Sequence, residues 1–255
     1  MLSIPLLNQI RSSEIEAVAR RFPPGARVLE LGAGTGQQAL ELRKRGFDVE
    51  AIDVPSSNYK GDQLFPITEY DGRNIPFPDG SFDVVFSSNV LEHVRDLPGL
   101  QAEIRRVMRP GAICVHVLPT HAWRLWTMLA AFPDGVQKSA LAVRERERGG
   151  ALLARAARAA GLTLKVLRNL LYPFVQGRHG ERGIILSELW LFRPPVWRRN
   201  FQQNGFDVVH DEPMGLHYSG YFVFGAHWSI EKRARLAKRL GSACHLFELR
   251  VSRAG

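Results

Sequence analysis

Apolar residues in this chain fall into short continuous runs that alternate with stretches spaced three to four positions apart. Val28-Leu29-Glu30-Leu31, Val49-Glu50-Ala51-Ile52 and Val84-Val85-Phe86 are runs of the first kind, as expected of strands buried on both faces. The pattern predicts strands near 27–31, 48–52, 66–70, 83–87 and 112–118, with helices near 36–45, 90–95 and 98–108 between them. An amphipathic helix from Ile10 to Arg21 precedes the first strand and ends at Pro23-Pro24-Gly25, where proline cannot continue it. Strands alternating with helices imply a parallel sheet wrapped by helices, an α/β fold. After Thr120 the alternation stops. It resumes with a helix near 194–204, a strand from Phe206 to His210, a basic helix from Ser229 to Leu240 and a last strand from Ala243 to Val251.

Three alternating glycines, Gly32, Gly34 and Gly36, follow the first strand and open the helix from about Gln37 to Arg45. Glycines there let a ligand lie against bare backbone at the carboxyl edge of the sheet, and the helix aims its first N–H groups at the same place. Asp53 closes the next strand, 17 residues after Gly36, where its carboxylate would accept hydrogen bonds from both hydroxyls of a ribose. These residues describe a nucleoside pocket. A dinucleotide fingerprint needs glycine where Gln37 stands, and a P-loop needs a Gly-Lys-Ser/Thr that is missing. Glu30, two residues before the first glycine, reads as a carboxylate at the pocket mouth. It would repel a pyrophosphate and suit a ligand carrying an ammonium or sulfonium group.

This combination resembles the class I S-adenosylmethionine (SAM) dependent methyltransferases, whose first motif reads acid-x-Gly-x-Gly-x-Gly. Within that class the run Pro76-Phe77-Pro78-Asp79-Gly80-Ser81-Phe82-Asp83-Val84-Val85-Phe86-Ser87-Ser88-Asn89-Val90-Leu91-Glu92-His93-Val94 is similar to the fourth-strand motif of the ubiquinone and menaquinone C-methyltransferase branch. Arg109-Pro110-Gly111-Ala112 resembles that branch's turn into the fifth strand. The likeness is close over roughly residues 25 to 120. It implies a Rossmann-like seven-stranded sheet of order 3-2-1-4-5-7-6, the last strand antiparallel, with SAM as methyl donor and S-adenosylhomocysteine as product. By the same resemblance Gly32, Ala33 and Gly34 line the donor, Asp53 holds the ribose, and Asp71 with the backbone of Gly72 contacts the adenine. Glu30 would orient the glycine loop and the donor's amino end, and Asn89 would lie beside its methionyl arm.

The chain has 255 residues, 45% hydrophobic and 23% charged, enough for one large core with an elaboration. One domain over 1–255 is expected, with 121–190 as a helical insertion after the fifth strand. Cys114 and Cys244 lie in apolar runs without metal-ligand spacing, so buried thiols in a reducing compartment are expected, and no metal. No basic n-region opens the chain and no run of 18 apolar residues occurs, which predicts neither a secretory leader nor a membrane span.

Residues 121–183 carry eleven Lys/Arg against four Asp/Glu, most of the chain's net +9. The segment opens with Trp123, Arg124 and Trp126 beside a short apolar run ending at Phe132. From Ala151 to Tyr172 it sets Arg155, Arg158, Lys165 and Arg168 on one face of a helical wheel. Any surface helix is amphipathic. A basic one with interfacial aromatics also suits an anionic membrane surface. The resemblance places this insertion over the donor as a lid on the acceptor pocket. The segment Gln176 to Gly183 would form its loop, and His217 to Phe222 another wall.

The resulting expectation is a cytoplasmic enzyme, soluble or peripheral on the inner membrane face, methylating oxygen or carbon of a small-molecule or lipid-linked acceptor. An oxygen or carbon acceptor has a proton to lose, so a base is expected. His93 after the fourth strand, and His179 and Glu181 from the lid, are the candidates. Two rivals are an RNA methyltransferase using the basic insertion and a non-catalytic SAM-binding scaffold. Against nucleic acid, Ser87-Ser88-Asn89-Val90 lacks the Asn/Asp-Pro-Pro-Tyr/Phe of amino-methylating enzymes, and neither cysteine follows a proline.

Overall fold

The computed structural model describes residues 4–56, 63–132, 177–220 and 228–252. Its centre is a seven-stranded sheet built from the apolar runs: β1 (Arg27–Leu31), β2 (Asp48–Asp53), β3 (Thr68–Glu69), β4 (Phe82–Ser88), β5 (Met108–Pro119), β6 (Phe206–Pro213) and β7 (Cys244–Val251). The spatial order is β3-β2-β1-β4-β5-β7-β6. The first five strands run parallel, and β7 lies antiparallel between β5 and β6. The chain starts at β1, runs outward to β3, then crosses back to β4. Neighbouring loops therefore part between β1 and β4, opening the crevice in which α/β sheets bind ligands.

Among the described residues the helices are α1 (Ile4–Ala19), α2 (Gln37–Lys44), α3 (Leu97–Val107), α4 (residues 121–132), α5 (Glu188–Leu191), α6 (Pro194–Gln203) and α7 (Ile230–Leu240). Strand alternation divides the core into two layers. Val28, Val84, Phe86 and Val115 pack under α1 and α2 with Ile10, Ile15 and Leu42. Leu29, Leu31, Phe82 and Val85 pack under α3 and α6 with Leu100, Ile104, Trp197 and Phe201. Three helices are capped by side chains. Asp96 accepts the Gly99 N–H at the start of α3, Thr120 accepts the Trp123 N–H at the start of α4, and Ser229 accepts the Lys232 N–H at the start of α7.

Several expected boundaries move. α1 begins six residues earlier than the apolar spacing implies, since Pro5 is tolerated in a first turn. β3 shrinks to two residues; Pro66 has no N–H to give a ladder. The expected helix at 90–95 is one 3-10 turn, Leu91–His93, ended where Val94 turns extended. Pairing with β7 carries β6 on to Pro213. The basic helix expected from Ala151 to Tyr172 lies outside the described residues. Cys114 and Cys244 are both buried, and no described helix is long and apolar enough to cross a membrane.

Candidate active site

The loop from β1 to α2 takes left-handed backbone at all three glycines, with φ of 69° at Gly32, 59° at Gly34 and 74° at Gly36. Space as well as conformation requires glycine here. A Cβ on Gly32 would stand 2.5 Å from Val90 Cγ2, and one on Gly36 2.6 Å from Phe65 Cβ. The Gly32 and Ala33 N–H groups turn back to the Ile52 carbonyl, and the Ala33 carbonyl accepts Gly36 N–H at 2.8 Å. Ala33 thus spends both polar groups in shaping the loop.

Asp53, at the end of β2, receives the Gly34 N–H on Oδ2 at 2.9 Å and the Val54 N–H on Oδ1 at 2.8 Å. Each oxygen keeps a further lone pair. The carboxylate therefore joins the glycine loop to the end of β2. Asp71 lies exposed on the loop after β3 and caps its turn, with Oδ1 taking the Arg73 and Asn74 N–H groups and Oδ2 the Asn74 amide. These bonds hold its carboxyl below the usual range. Gly72 brings that loop to the end of β2, where an added Cβ would sit 3.3 Å from Val54 Cγ1.

Glu30 corrects the sequence-based expectation. It is not at the pocket mouth but beneath the loop, 2% exposed, where it accepts the Ala39 N–H in the first turn of α2. Burial, opposed by that bond and reinforced by nearby Asp53, pushes its carboxyl up to about 8. Its Oε2 has no hydrogen-bond partner. A carboxyl in this position fixes the helix terminus to the strand, and ionises once a cation lies against it.

Asn89 follows β4 with φ 56°, the one left-handed non-glycine among the described residues. Its N–H reaches the Val117 carbonyl at 2.8 Å. With the side-chain amide in the orientation its neighbours satisfy, its oxygen accepts from Arg11 Nη1 at 2.8 Å and Nη2 at 2.9 Å. Arg11 also donates to Glu14 Oε2 at 2.7 Å and Ser88 Oγ at 3.1 Å, and Tyr218 donates to the other oxygen of Glu14 at 3.0 Å. Sequence reasoning missed this bracket from α1. An Arg-Glu pair three residues apart ordinarily marks a solvated helix face, and nothing in its spacing announces burial.

On the far side of β4, the turn Leu91–His93 meets the described end of the insertion. Two buried residues seat that segment. Glu188 Oε1 accepts the His179 N–H at 2.6 Å and the Gly180 N–H at 2.7 Å; its Oε2 lies 2.8 Å from Arg124 Nε in an ion pair closed to solvent. Arg124 also donates to the Gly177 carbonyl at 3.2 Å. Glu181 N–H then bonds the Glu92 carbonyl at 2.8 Å, against which Gly180 packs too closely for any Cβ.

Consequently His179 and His93, 86 positions apart, stack edge to face with centroids 4.7 Å apart. The Trp123 ring also packs on His179, with centroids 4.5 Å apart. Burial holds the His93 imidazole below its ordinary pKa, against the opposing pull of Glu92. Glu181 does not join the pair. Its carboxylate turns to the rim, to Arg95 at 3.0 Å and Arg178 at 3.5 Å. A cavity of about 450 Å³, including its open mouth, lies between the turn and α6, lined by Leu91, Glu92, Gly180, Phe192 and Trp197 among others.

The aromatic opening of the insertion also differs from expectation. Trp126 turns inward and donates to the Leu240 carbonyl at 2.9 Å, Trp123 covers His179, and Arg124 is buried against Glu188. Of the wall expected from His217 to Phe222, Tyr218 is buried on Glu14 and Cys244, and Tyr221 and Phe222 lie outside the described residues.

Residues 8–211 match a family described as "Methyltransferase domain". An uncharacterized methyltransferase of Mycobacterium sp. (strain KMS) is 36% identical over 108 residues, covering 39% of this chain and 41% of that protein. A demethylmenaquinone methyltransferase of Beutenbergia cavernae is 33% identical over 137 residues, 52% of this chain and 56% of that protein. The chain thus spans about half or less of the length of the curated relatives it matches. Among solved structures, the complex of the Haloferax volcanii Trm112 methyltransferase activator with a putative methyltransferase aligns with TM-score 0.57 at 14% identity, over 98% of this chain and 92% of that one. A SAM-dependent methyltransferase from Mesorhizobium loti gives 0.54 at 18%, over 93% and 97%. At such identities the likeness is one of fold.

Proposed function

Because this chain belongs to the methyltransferase-domain family, we propose that it moves the methyl group of SAM to an oxygen or carbon atom of a small-molecule or lipid-linked acceptor. The observation that carries the reading is the crevice between β1 and β4, where three left-handed glycines bare the backbone and Gly34 is tied to Asp53. Asp53 takes the ribose hydroxyls, Asp71 and Gly72 flank the adenine, and Asn89, pinned by Arg11, borders the methionyl arm. Glu30, beneath the loop, answers the donor's positive charge.

Transfer is an in-line displacement: the acceptor atom bonds to the methyl carbon as the carbon–sulfur bond breaks. The protein's share is to hold the acceptor about 3 Å from the methyl and to exclude water. Segment 177–193, seated by Glu188 and Arg124, forms the described part of the lid, and the adjoining cavity takes the acceptor. Partial desolvation lowers the His93 pKa, which favours the neutral form able to accept a proton from an acceptor hydroxyl or activated carbon; His179 faces it as the alternative base. Glu181, turned to the rim, serves the lid instead. The insertion docks the enzyme on an anionic membrane, a role supported by Leu125 and Leu129 on α4 and by Ile184, Leu186 and Trp190, all exposed.

Methyl-tritiated SAM incubated with the protein and a fractionated extract of the native cell tests this directly. Label in the organic-extractable fraction is expected. Label in RNA would replace the acceptor class, and donor binding without any transfer would leave a scaffold.

A further inference from the structure

Glu92 is the anomaly of the acceptor side. It is 5% exposed, and neither carboxylate oxygen has a hydrogen-bond partner. A buried carboxylate without partners is costly, so something of positive charge belongs beside it. Two imidazoles face the same oxygen: His93 Nε2 and His179 Nε2 each lie 3.7 Å from Glu92 Oε1. That is too far for a hydrogen bond and too near for an intervening water. One ligand atom from each residue falls within 4.8 Å of the others.

From this geometry we propose that Glu92, His93 and His179 form a binding site for a divalent first-row transition cation. A cation about 2.0–2.2 Å from each ligand needs ligand atoms roughly 3–3.5 Å apart, so the two Glu92–imidazole distances close by a few tenths of an ångström and the two imidazoles, within 4.8 Å of each other, draw together by a side-chain rotation. Two imidazoles and one carboxylate suit zinc, manganese, cobalt or iron better than the all-oxygen preference of magnesium or calcium. Neighbouring residues already hold these groups. The His179 backbone is clamped by Glu188, its ring is held between Trp123 and Phe192, and Glu181 N–H fixes the carbonyl of Glu92. The cation would tie the lid to the β4 turn.

Three protein ligands leave coordination positions open, and Glu92 also lines the cavity. A hydroxyl or enol oxygen of the acceptor would bind there and release its proton to solvent more readily, with His93 and His179 then serving as ligands in place of the base. This second part rests on the methyl-transfer reading; cation binding itself does not.

The test is titration of the full, chelator-treated chain with cobalt(II) chloride, read by visible absorbance and by calorimetry, with SAM titrated separately. One cobalt per chain is expected, with affinity at least tenfold weaker in Glu92→Gln, His93→Ala and His179→Ala and unchanged in His210→Ala. SAM binding by the Glu92→Gln and His179→Ala proteins reports that they are folded. His179 lies outside the helices and strands, so His179→Ala keeps the test decisive if Glu92→Gln does not fold. Equal cobalt binding by wild type and His179→Ala, or none by wild type, would overturn the site. Cobalt binding without SAM binding would instead overturn the functional reading and leave the site standing.

Discussion

Glu30 accepts the Ala39 amide with one oxygen while the other has no partner, and its carboxyl is pushed up to about 8 from an ordinary 4.5. The sign of the pH dependence follows. Below 4.5 the group is protonated whether the chain is folded or not. Between 4.5 and 8 the unfolded chain releases the proton and the folded chain keeps it, so donor-free stability declines across that window and levels off above it. Glu30→Gln should flatten this decline in melts at pH 5, 6.5 and 8, and weaken SAM binding about tenfold through the lost charge-assisted contact. An unaltered slope would place the titration elsewhere. Asp53 carries a second lesson. The sequence alone suggests that Asp53→Ala loses donor affinity at little cost in stability, yet the carboxylate holds two backbone amides. Asp53→Ala should therefore destabilise by about 1–3 kcal/mol as well as lose at least tenfold in SAM affinity. Asp53→Asn, keeping one acceptor oxygen, should recover part of the stability and little of the binding, measured by melting and calorimetry.

The elements divide by how local their causes are. β1, β2, β4 and α3 stand within a residue or two of expectation, because apolar runs and an Asp96 cap specify them within a short window. The turn Leu91–His93 and the segment 177–193 depend on each other, and neither carries periodicity of its own. What seats segment 177–193 is the Arg124–Glu188 pair, both side chains closed to solvent. Arg124→Ala would leave Glu188 charged and buried, at a cost of about 3–5 kcal/mol if the lid stayed docked. Undocking relieves that cost. The variant should be cut by trypsin at Arg178 and Arg182 at least tenfold faster than wild type, with SAM affinity unchanged and methyl transfer reduced. Equal resistance to trypsin would mean that other contacts hold the segment.

At the scale of the whole molecule, charge and apolar exposure suggest where it works. Most of the net +9 comes from residues 121–183, and a basic residue near an anionic bilayer contributes about 1 kcal/mol. The protein should float with vesicles rich in anionic lipid, stay behind with neutral ones, and be released at about 1 M salt, where screening is nearly complete. Flotation that ignores lipid charge would sink the docking reading. The sequence by itself determined the strands, their alternation with helices, the glycine loop and Asp53, since each follows from neighbours a few residues away. The strand order was legible through the family resemblance. Only the tertiary structure decided that Glu30 is buried under the loop, that Arg11 braces Asn89, that Trp123 and Arg124 face inward, and that His179 comes to rest on His93 and Glu92. Those facts arise from contacts between distant stretches of chain, where burial, not spacing, sets the partner and the charge.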